Sequence, residues 1–123
     1  MKVCVTSTGE GLDSAIDPRF GRCQYFVMID TESMEFKSIQ NPNVGALGGA
    51  GISSAELVSK EGAQVVITGA VGPNANRALS SFGIKIYTGA SGTVKEAVQD
   101  YKEGKLKEIK GPSVPGHFGK GGK

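Results

Sequence analysis

Hydrophobic residues in the first forty positions fall in three short segments with the pattern or composition of β-strands. Lys2–Ser7 alternates valine with polar residues, and Gln24–Ile29 is aromatic and β-branched. Glu35–Gln40 alternates more loosely, and the short link Asp30–Met34 is typical of a hairpin. The pattern therefore predicts three consecutive strands that form an antiparallel meander.

The second half of the chain changes to helical periodicity interrupted by short apolar runs. Apolar residues three and four places apart predict helices in three segments, Ile52–Val58, Ala75–Phe82 and Val94–Tyr101. The runs between them, Gln64–Thr68 and Ile84–Tyr87, have the length and composition of buried strands. The three strands are thus followed by helix, strand, helix, strand and helix.

Each helix also has a recognisable beginning. Ser53-x-x-Glu56 and Thr93-x-x-Glu96 have the spacing of a capping box, in which two side chains satisfy backbone N–H groups reciprocally. Pro73 suits the first position of the middle helix, where its missing N–H costs nothing. These signals predict that the first and third helices are capped by their own side chains.

The element order predicts an α/β fold, βββαβαβα, with helices packed on a five-stranded mixed sheet in a ribonuclease-H-like architecture. The first, third, fourth and fifth strands then run the same way, and their carboxyl ends share one rim. Open α/β sheets bind ligands at this end of their strands, so we expect the functional site there. The loops on the rim are Thr8–Cys23, Asn41–Gly51, Gly69–Pro73 and Thr88–Gly92.

Composition narrows the function further. Glycine supplies 19 of the 123 residues, about 15% against about 7% in average proteins, and many of these glycines fall on the rim loops. The net charge of +2 divides into a slightly acidic body and a basic end. We assign residues 1–105 to one domain and residues 106–123 to a flexible basic Gly/Pro/Lys tail.

Several partners and compartments are disfavoured. No basic stripe is interleaved with aromatic residues, which argues against a nucleic-acid partner. No apolar run approaches the roughly 18 residues of a membrane span, so no membrane partner is expected. Two cysteines are too few for a disulfide scaffold. We therefore expect a cytoplasmic protein.

The string from Asp17 to Cys23 is the most distinctive candidate for chemistry. The guanidinium groups of Arg19 and Arg22 beside the thiol would lower its pKa and favour a reactive or metal-ligating thiolate. Alternatively, Cys23 is a small buried hydrophobic residue, as free cysteines often are, and the arginines pair with Asp13 or Asp17. A single cysteine without a spaced partner is a weak metal signal, and both interpretations stay open.

The glycine-rich segment Gly45–Gly51 leads into a helix, so its bare backbone N–H groups could face an anion. It lacks the Lys-Ser/Thr of a Walker loop and does not open a βαβ unit, which disfavours a nucleoside triphosphate loop. The alternative is a tightly turned structural loop without a ligand.

His117, the only histidine, lies in the tail. It is either solvated or, as a mobile residue near the rim, a cap for a metal cluster. No serine lies in a Gly-x-Ser-x-Gly elbow, which disfavours a catalytic triad. The first strand, KVCVTS, has no carboxylate, which argues against two-metal nuclease chemistry.

Five segments together resemble the nitrogenase iron–molybdenum cofactor biosynthesis accessory domain, found in NifX- and NafY-like proteins and at the carboxyl end of NifB-like proteins. The segments are the opening strand, Asp17–Cys23 running into QYFVMI, GALGGAGISSAE, VVITGAVGPNA and IYTGASGTVKEAV. The resemblance covers about residues 1–105. It implies a ribonuclease-H-like fold without nuclease activity, and a non-enzymatic domain that binds or carries an iron–sulfur or iron–molybdenum-type cluster or its precursor.

The resemblance also implies which positions bind the cofactor: Phe20, Gly21, Arg22, Gly48, Gly49 and Gly51. Cys23 is our own addition as a candidate sulfur ligand, and His117 is a second candidate metal ligand outside the region of resemblance. No catalytic residue is assigned. The expected partners are proteins that donate or accept the metallocluster, and the expected state is a monomer.

Two other functions fit the residues. An anion- or nucleotide-binding regulatory module would use the backbone of Gly45–Gly51, and phosphate or ATP would then perturb that loop. An interaction domain would use its basic tail to dock an acidic partner, and its binding would be sensitive to salt.

Overall fold

A computed structural model describes residues 1–46 and 48–109 of the chain. These residues form a mixed sheet and helices that include all eight predicted elements. His117 and most of the predicted tail lie outside the described residues. The elements are β1 (Lys2–Ser7), β2 (Tyr25–Asp30), β3 (Phe36–Gln40), α1 (Ala50–Lys60), β4 (Val65–Ile67), α2 (Pro73–Ser81), β5 (Lys85–Thr88), α3 (Val94–Lys102) and β6 (Lys107–Ile109).

The strands are arranged in the order β3-β2-β1-β4-β5-β6. β2 pairs antiparallel with both β1 and β3, as expected of the meander. β1, β4 and β5 are parallel neighbours. The carboxyl ends of β1, β3, β4 and β5 therefore lie on one rim, as the element order predicted.

The prediction of a five-stranded sheet is wrong, because a sixth strand lies at the edge beyond β5. β6 pairs antiparallel with β5, opposite Ile86–Thr88. The sequence analysis placed this stretch in the tail, since Lys107 and Glu108 show no apolar alternation. Ile109 packs against the core, but backbone pairing at a sheet edge leaves little trace in hydrophobic periodicity. The ribonuclease-H-like architecture stays a prediction.

Side chains of the central strands alternate between two hydrophobic cores. On one face of the sheet, Cys4 packs in a core shared with α1 and α2. On the other face, Val3 and Val5 pack in a core shared with α3. Burial on both faces is typical of central strands covered by helices on both sides. None of the helices described is long and apolar enough to cross a membrane.

Of the two capping boxes that the sequence predicts, the one at α3 is present and the one at α1 is not. α1 begins at Ala50 with Gly49 as its N-cap, so the capping box predicted at Ser53 is wrong because Ser53 lies inside the first turn. The box of α3 is formed. Thr93 Oγ1 accepts a hydrogen bond from Glu96 N at 3.1 Å, and the Glu96 carboxylate accepts one from Thr93 N at 2.9 Å.

Candidate functional site

A cavity of about 330 Å³ opens on the rim where the site was expected. Its walls come from three segments far apart in sequence, Arg19–Arg22, Gly49–Ile52 and Gly72–Ala75. The first is the turn before β2, and the others are the N-caps and first turns of α1 and α2. The described lining residues include no Asp, Glu, Cys or His. The charged groups in the wall are therefore the two arginines.

Buried hydroxyl groups hold the arginine turn on the ends of β1 and β4. Thr6 Oγ1 donates to the Asp17 carbonyl at 2.7 Å and lies 2.8 Å from Thr68 Oγ1. The backbone adds a bond from Ala70 N to the Pro18 carbonyl at 2.8 Å. Because these polar groups are paired inside the protein, the turn has a fixed position against the sheet.

Glycines allow the three wall segments to approach each other closely. Gly21 has a φ of +103°, and a Cβ there would lie 3.2 Å from the Cα of Gly51. A Cβ on Gly51 would lie 3.0 Å from the Cβ of Ala75 in α2. Side chains at these glycines would push the segments apart, so the glycines allow the three segments to form one cavity wall.

Two helix N-termini face the cavity without side-chain caps. The N-cap of α1 is Gly49 and that of α2 is Gly72, and neither has a side chain that could accept a hydrogen bond. The first N–H groups of a helix have no partner within the helix. They carry a partial positive charge and readily bind anions. The cavity therefore combines two helix N-termini with two guanidinium groups.

The two arginines are held differently. Arg19 pairs with Asp17 through Nε and Nη2, at 3.3 Å and 3.4 Å from its two carboxylate oxygens. These hydrogen bonds raise the pKa of Arg19. Arg22 donates from its guanidinium to the Ala46 carbonyl, and no described carboxylate lies within 4.0 Å of its nitrogens. Arg22 thus brings a positive charge that the described part of the chain does not neutralise.

Cys23 lies behind the cavity and does not line it. The residue is fully buried, and burial together with the charge of Asp17 raises the pKa of its thiol to about 12. The expectation that the arginines lower this pKa is wrong, because Arg19 is drawn to Asp17 and desolvation is the largest effect. A protonated thiol favours the alternative of a small buried hydrophobic residue, whereas ligation by Cys23 stays a prediction.

The other cysteine, Cys4, is also free and buried, and burial raises its pKa well above the usual value. Among residues 1–46 and 48–109, no group of three or more His, Cys, Asp and Glu side chains could hold a metal ion. The second candidate metal ligand, His117, lies outside the described residues.

Most of the expected cofactor-binding positions meet at the cavity. Phe20, Gly21, Arg22, Gly49 and Gly51 line it, whereas Gly48 does not. Their role in binding stays a prediction. The sequence analysis did not assign the first turn of α2 to the site, and it named Arg19 only as a charge beside Cys23. The Gly-Pro pair that begins α2 was a local signal for a helix start on the rim, but it does not show which loops adjoin it.

Comparisons with known proteins agree with this architecture. In the apo form of the orange protein from Desulfovibrio gigas, the fold matches with a TM-score of 0.88 and 39% sequence identity, covering 92% of this chain and 96% of that chain. An NMR structure of a candidate NifB protein from Thermotoga matches with a TM-score of 0.80 and 33% identity, covering 94% of this chain and 98% of that chain.

A protein of Methanocaldococcus jannaschii without an assigned function is 29% identical over 100 residues, which are 79% of this chain and 85% of that protein. The family model for dinitrogenase iron-molybdenum cofactor matches residues 1–104. This match spans all three walls of the cavity. The chain belongs to the dinitrogenase iron-molybdenum cofactor family.

Proposed function

We propose that the chain is a non-enzymatic carrier that binds an anionic iron–sulfur or iron–molybdenum-type cluster, or a precursor of one, in the rim cavity. The observation that carries the proposal is that Arg22 and two helix N-termini with glycine N-caps line one cavity, and that the described lining residues include no carboxylate. Its family is named for such a cofactor. The proposed partners are proteins that donate or accept the cluster in the cytoplasm.

The lining favours an anion whose metal ions are already fully coordinated. Thiolate, imidazole and carboxylate are the usual protein ligands of transition metals, and the described lining residues offer none of them. Guanidinium and backbone N–H groups donate hydrogen bonds to the surface of an anion and leave its metal–ligand bonds intact. A cargo held in this way can be released without ligand exchange, which suits a carrier better than a catalyst.

Titration with tetrathiomolybdate under anaerobic conditions tests the proposal, because this ion is a coloured and fully coordinated molybdenum–sulfur anion. The wild-type chain should bind it and shift its visible spectrum, and Arg22→Ala should weaken binding roughly tenfold or more, as expected for a charged hydrogen bond. Lys85→Ala, which removes an exposed positive charge on β5, should bind like the wild type. No binding, or equal losses in both variants, contradicts the proposal.

A regulatory module for phosphate or a nucleotide is a second candidate, because helix N-termini bind phosphate as readily as other anions. Amide NMR spectra recorded with phosphate, ATP and tetrathiomolybdate separate the two functions. Shifts at Gly49–Ile52 and Gly72–Ala75 with the molybdenum–sulfur anion alone support the carrier. Equal or larger shifts with ATP support the nucleotide module.

A further inference from the structure

Asn41 is a buried amide next to the cavity, in the loop that follows β3. Only 3% of the residue is exposed, and all its side-chain hydrogen-bonding groups are used. Nδ2 donates to the carbonyls of Gly21 at 2.9 Å and Cys23 at 2.8 Å. Oδ1 accepts from Asn43 N at 2.9 Å. The Asn41 side chain therefore joins the loop after β3 to the turn at residues 21–23.

The two carbonyls that Asn41 binds lie on either side of Arg22. A second buried donor, Ser54 Oγ in α1, binds the Gly21 carbonyl as well, at 3.0 Å. The backbone is therefore fixed immediately before and after the arginine. Asn41 reaches both sides of Arg22, whereas Ser54 reaches only one.

The same loop also contacts the charged end of Arg22. Asn43 N binds Asn41 Oδ1, and the Asn43 carbonyl accepts from Ala46 N at 3.1 Å. The carbonyl of Ala46 in turn accepts from the Arg22 guanidinium. The Asn41 side chain is thus connected to Arg22 by two routes, one through the arginine backbone and one through its guanidinium.

We propose that Asn41 is a positioning residue, which fixes the guanidinium of Arg22 at the wall of the cavity and so sets the affinity for the anion. This inference rests on the proposed anion-binding function. A preorganised polar group binds its ligand more tightly, because no conformational entropy is lost in ordering the group on binding. The competing explanation is that Asn41 only satisfies buried carbonyls and stabilises the fold without affecting Arg22.

A double-mutant cycle separates these explanations, with tetrathiomolybdate as the probe. Asn41→Ala should weaken binding about fivefold or more, and Arg22→Ala about tenfold. If Asn41 acts through Arg22, the double variant should bind no more weakly than Arg22→Ala alone. Unchanged affinity in Asn41→Ala, or a loss in the double variant equal to the product of both factors, overturns the inference.

Ser7→Ala is the matched control, because it also removes a buried hydrogen-bonding group from the rim, but the partners of that group are the backbone groups of Gly9 and not the arginine turn. It should lose stability and keep the wild-type affinity. If Asn41→Ala does not fold, Ser54→Ala replaces it in the cycle, since it removes one of the two bonds to Gly21. Ser54→Ala should weaken binding about twofold to threefold, with the same non-additivity toward Arg22→Ala.

NMR of the ligand-free protein tests the positioning when no anion binds. The guanidinium N–H signals of Arg22 should exchange slowly with water in the wild type and in Ser7→Ala, and rapidly in Asn41→Ala or Ser54→Ala. Unchanged exchange in the Asn41 or Ser54 variant overturns the inference. If exchange changes as expected but the wild type does not bind the anion, the proposed function fails and the positioning role stands.

Discussion

Helices α1, α2 and α3 all begin on the same rim of the sheet, but their first turns are completed in opposite ways. In α3, Thr93 and Glu96 bind the backbone N–H groups of the first turn. In α1 and α2, the N-cap residues Gly49 and Gly72 provide no such acceptor. The helix N-terminus is therefore capped by its own side chains on one face of the sheet and has no side-chain cap on the other.

The charged residues around these helix N-termini also differ, in a way that favours an anion at α1 and α2 and disfavours one at α3. The groove beside the N-terminus of α3 includes the acidic Glu96 and Asp100. The cavity at α1 and α2 includes Arg19 and Arg22 and no carboxylate among its described lining. Position on the rim therefore does not make a helix N-terminus an anion site. The cap and the nearby charges decide whether the N–H groups stay available.

The hydrophobic cores beneath the two faces differ as well. The core under α1 and α2 contains both cysteines, Cys4 and Cys23, and both are fully buried. The core under α3 contains no cysteine among the described residues. Thiol deprotonation at high pH should therefore destabilise the core beneath the cavity before it affects the core under α3.

The largest expected effect is a loss of stability at alkaline pH. The folded state raises the pKa of Cys23 from 9.0 to about 12, so above pH 9 the unfolded state loses the thiol proton while the folded state keeps it. This contribution to stability is complete below pH 9. It falls by about 1.4 kcal/mol for each pH unit, or about 4 kcal/mol in all, as the pH rises toward 12.

Urea unfolding between pH 7 and pH 11 measures this loss. Cys23→Ala should lose less stability with rising pH than the wild type, because only Cys4 then contributes a buried thiol in this core. The same pH dependence in both proteins would show that the Cys23 thiol ionises as readily in the folded state as in the unfolded state.

Gly72→Asp would give α2 the kind of cap that α3 has. Gly72 has a φ of −78°, and a Cβ there would meet nothing within 4 Å, so aspartate fits without strain. The carboxylate should stabilise the helix by a few tenths of a kcal/mol up to about 1 kcal/mol. It should also weaken tetrathiomolybdate binding about a hundredfold, or about 2.7 kcal/mol, because it occupies the N–H groups with a like charge.

Thermal unfolding and anaerobic titration measure the two effects separately. The neutral variant Gly72→Asn is the control, since it caps the helix without adding charge, and it should weaken binding about tenfold. A stabilised Gly72→Asp variant with wild-type affinity would show that the missing cap of α2 does not matter for anion binding.

The variants Gly21→Ala and Gly89→Ala allow the stability of the two sides of the rim to be compared. Alanine should meet similar backbone strain at both positions. Both glycines have positive φ, +103° and +84°, so each alanine should cost about 1 kcal/mol for a left-handed conformation. A Cβ on Gly21 also approaches Gly51, whereas one on Gly89 meets nothing within 4 Å. Gly21→Ala should therefore cost about 2 kcal/mol in total. Equal losses in urea unfolding would argue against close contact behind the cavity.

Thr93→Ala should have the smallest effect. It removes the capping box of α3 and should lower the free energy of unfolding by about 1 kcal/mol. Anion affinity should not change, because α3 does not line the cavity. A weaker anion affinity in this variant, measured at a temperature where it is folded, would link the α3 side of the rim to the binding site.

Hydrophobic periodicity predicted the elements of this fold well where an element has a buried face. The alternation in Lys2–Ser7 and the helical spacing in Val94–Tyr101 both correspond to observed elements. Periodicity missed β6, because a short edge strand is specified mainly by backbone pairing. It also misplaced the start of α1, because a glycine N-cap leaves no side-chain signal and Ser53-x-x-Glu56 matched the motif by chance.

The candidate site could be predicted in part. Glycines and the strand directions indicated the rim, and Arg22 and Gly51 are indeed at the cavity. The contribution of Gly72–Ala75 was missed, because contact between α1 and α2 depends on helix packing. The sequence left two interpretations of Cys23 open, a thiol with a lowered pKa and a buried hydrophobic residue, and the raised pKa favours the second. Nearness to arginines in sequence could not decide between them, because it says nothing about burial.

The sequence alone determined the order of the first eight strands and helices and the rim that their loops share, because residue periodicity assigns side chains to faces and strand direction assigns loops to edges. Many of the glycines fall on the loops of that rim. Only the tertiary structure decided which loops form the cavity, which helix N-termini stay uncapped and that both thiols are buried. These properties depend on distances between residues remote in sequence, such as Gly21, Gly51 and Ala75, and such distances arise only when the layers pack.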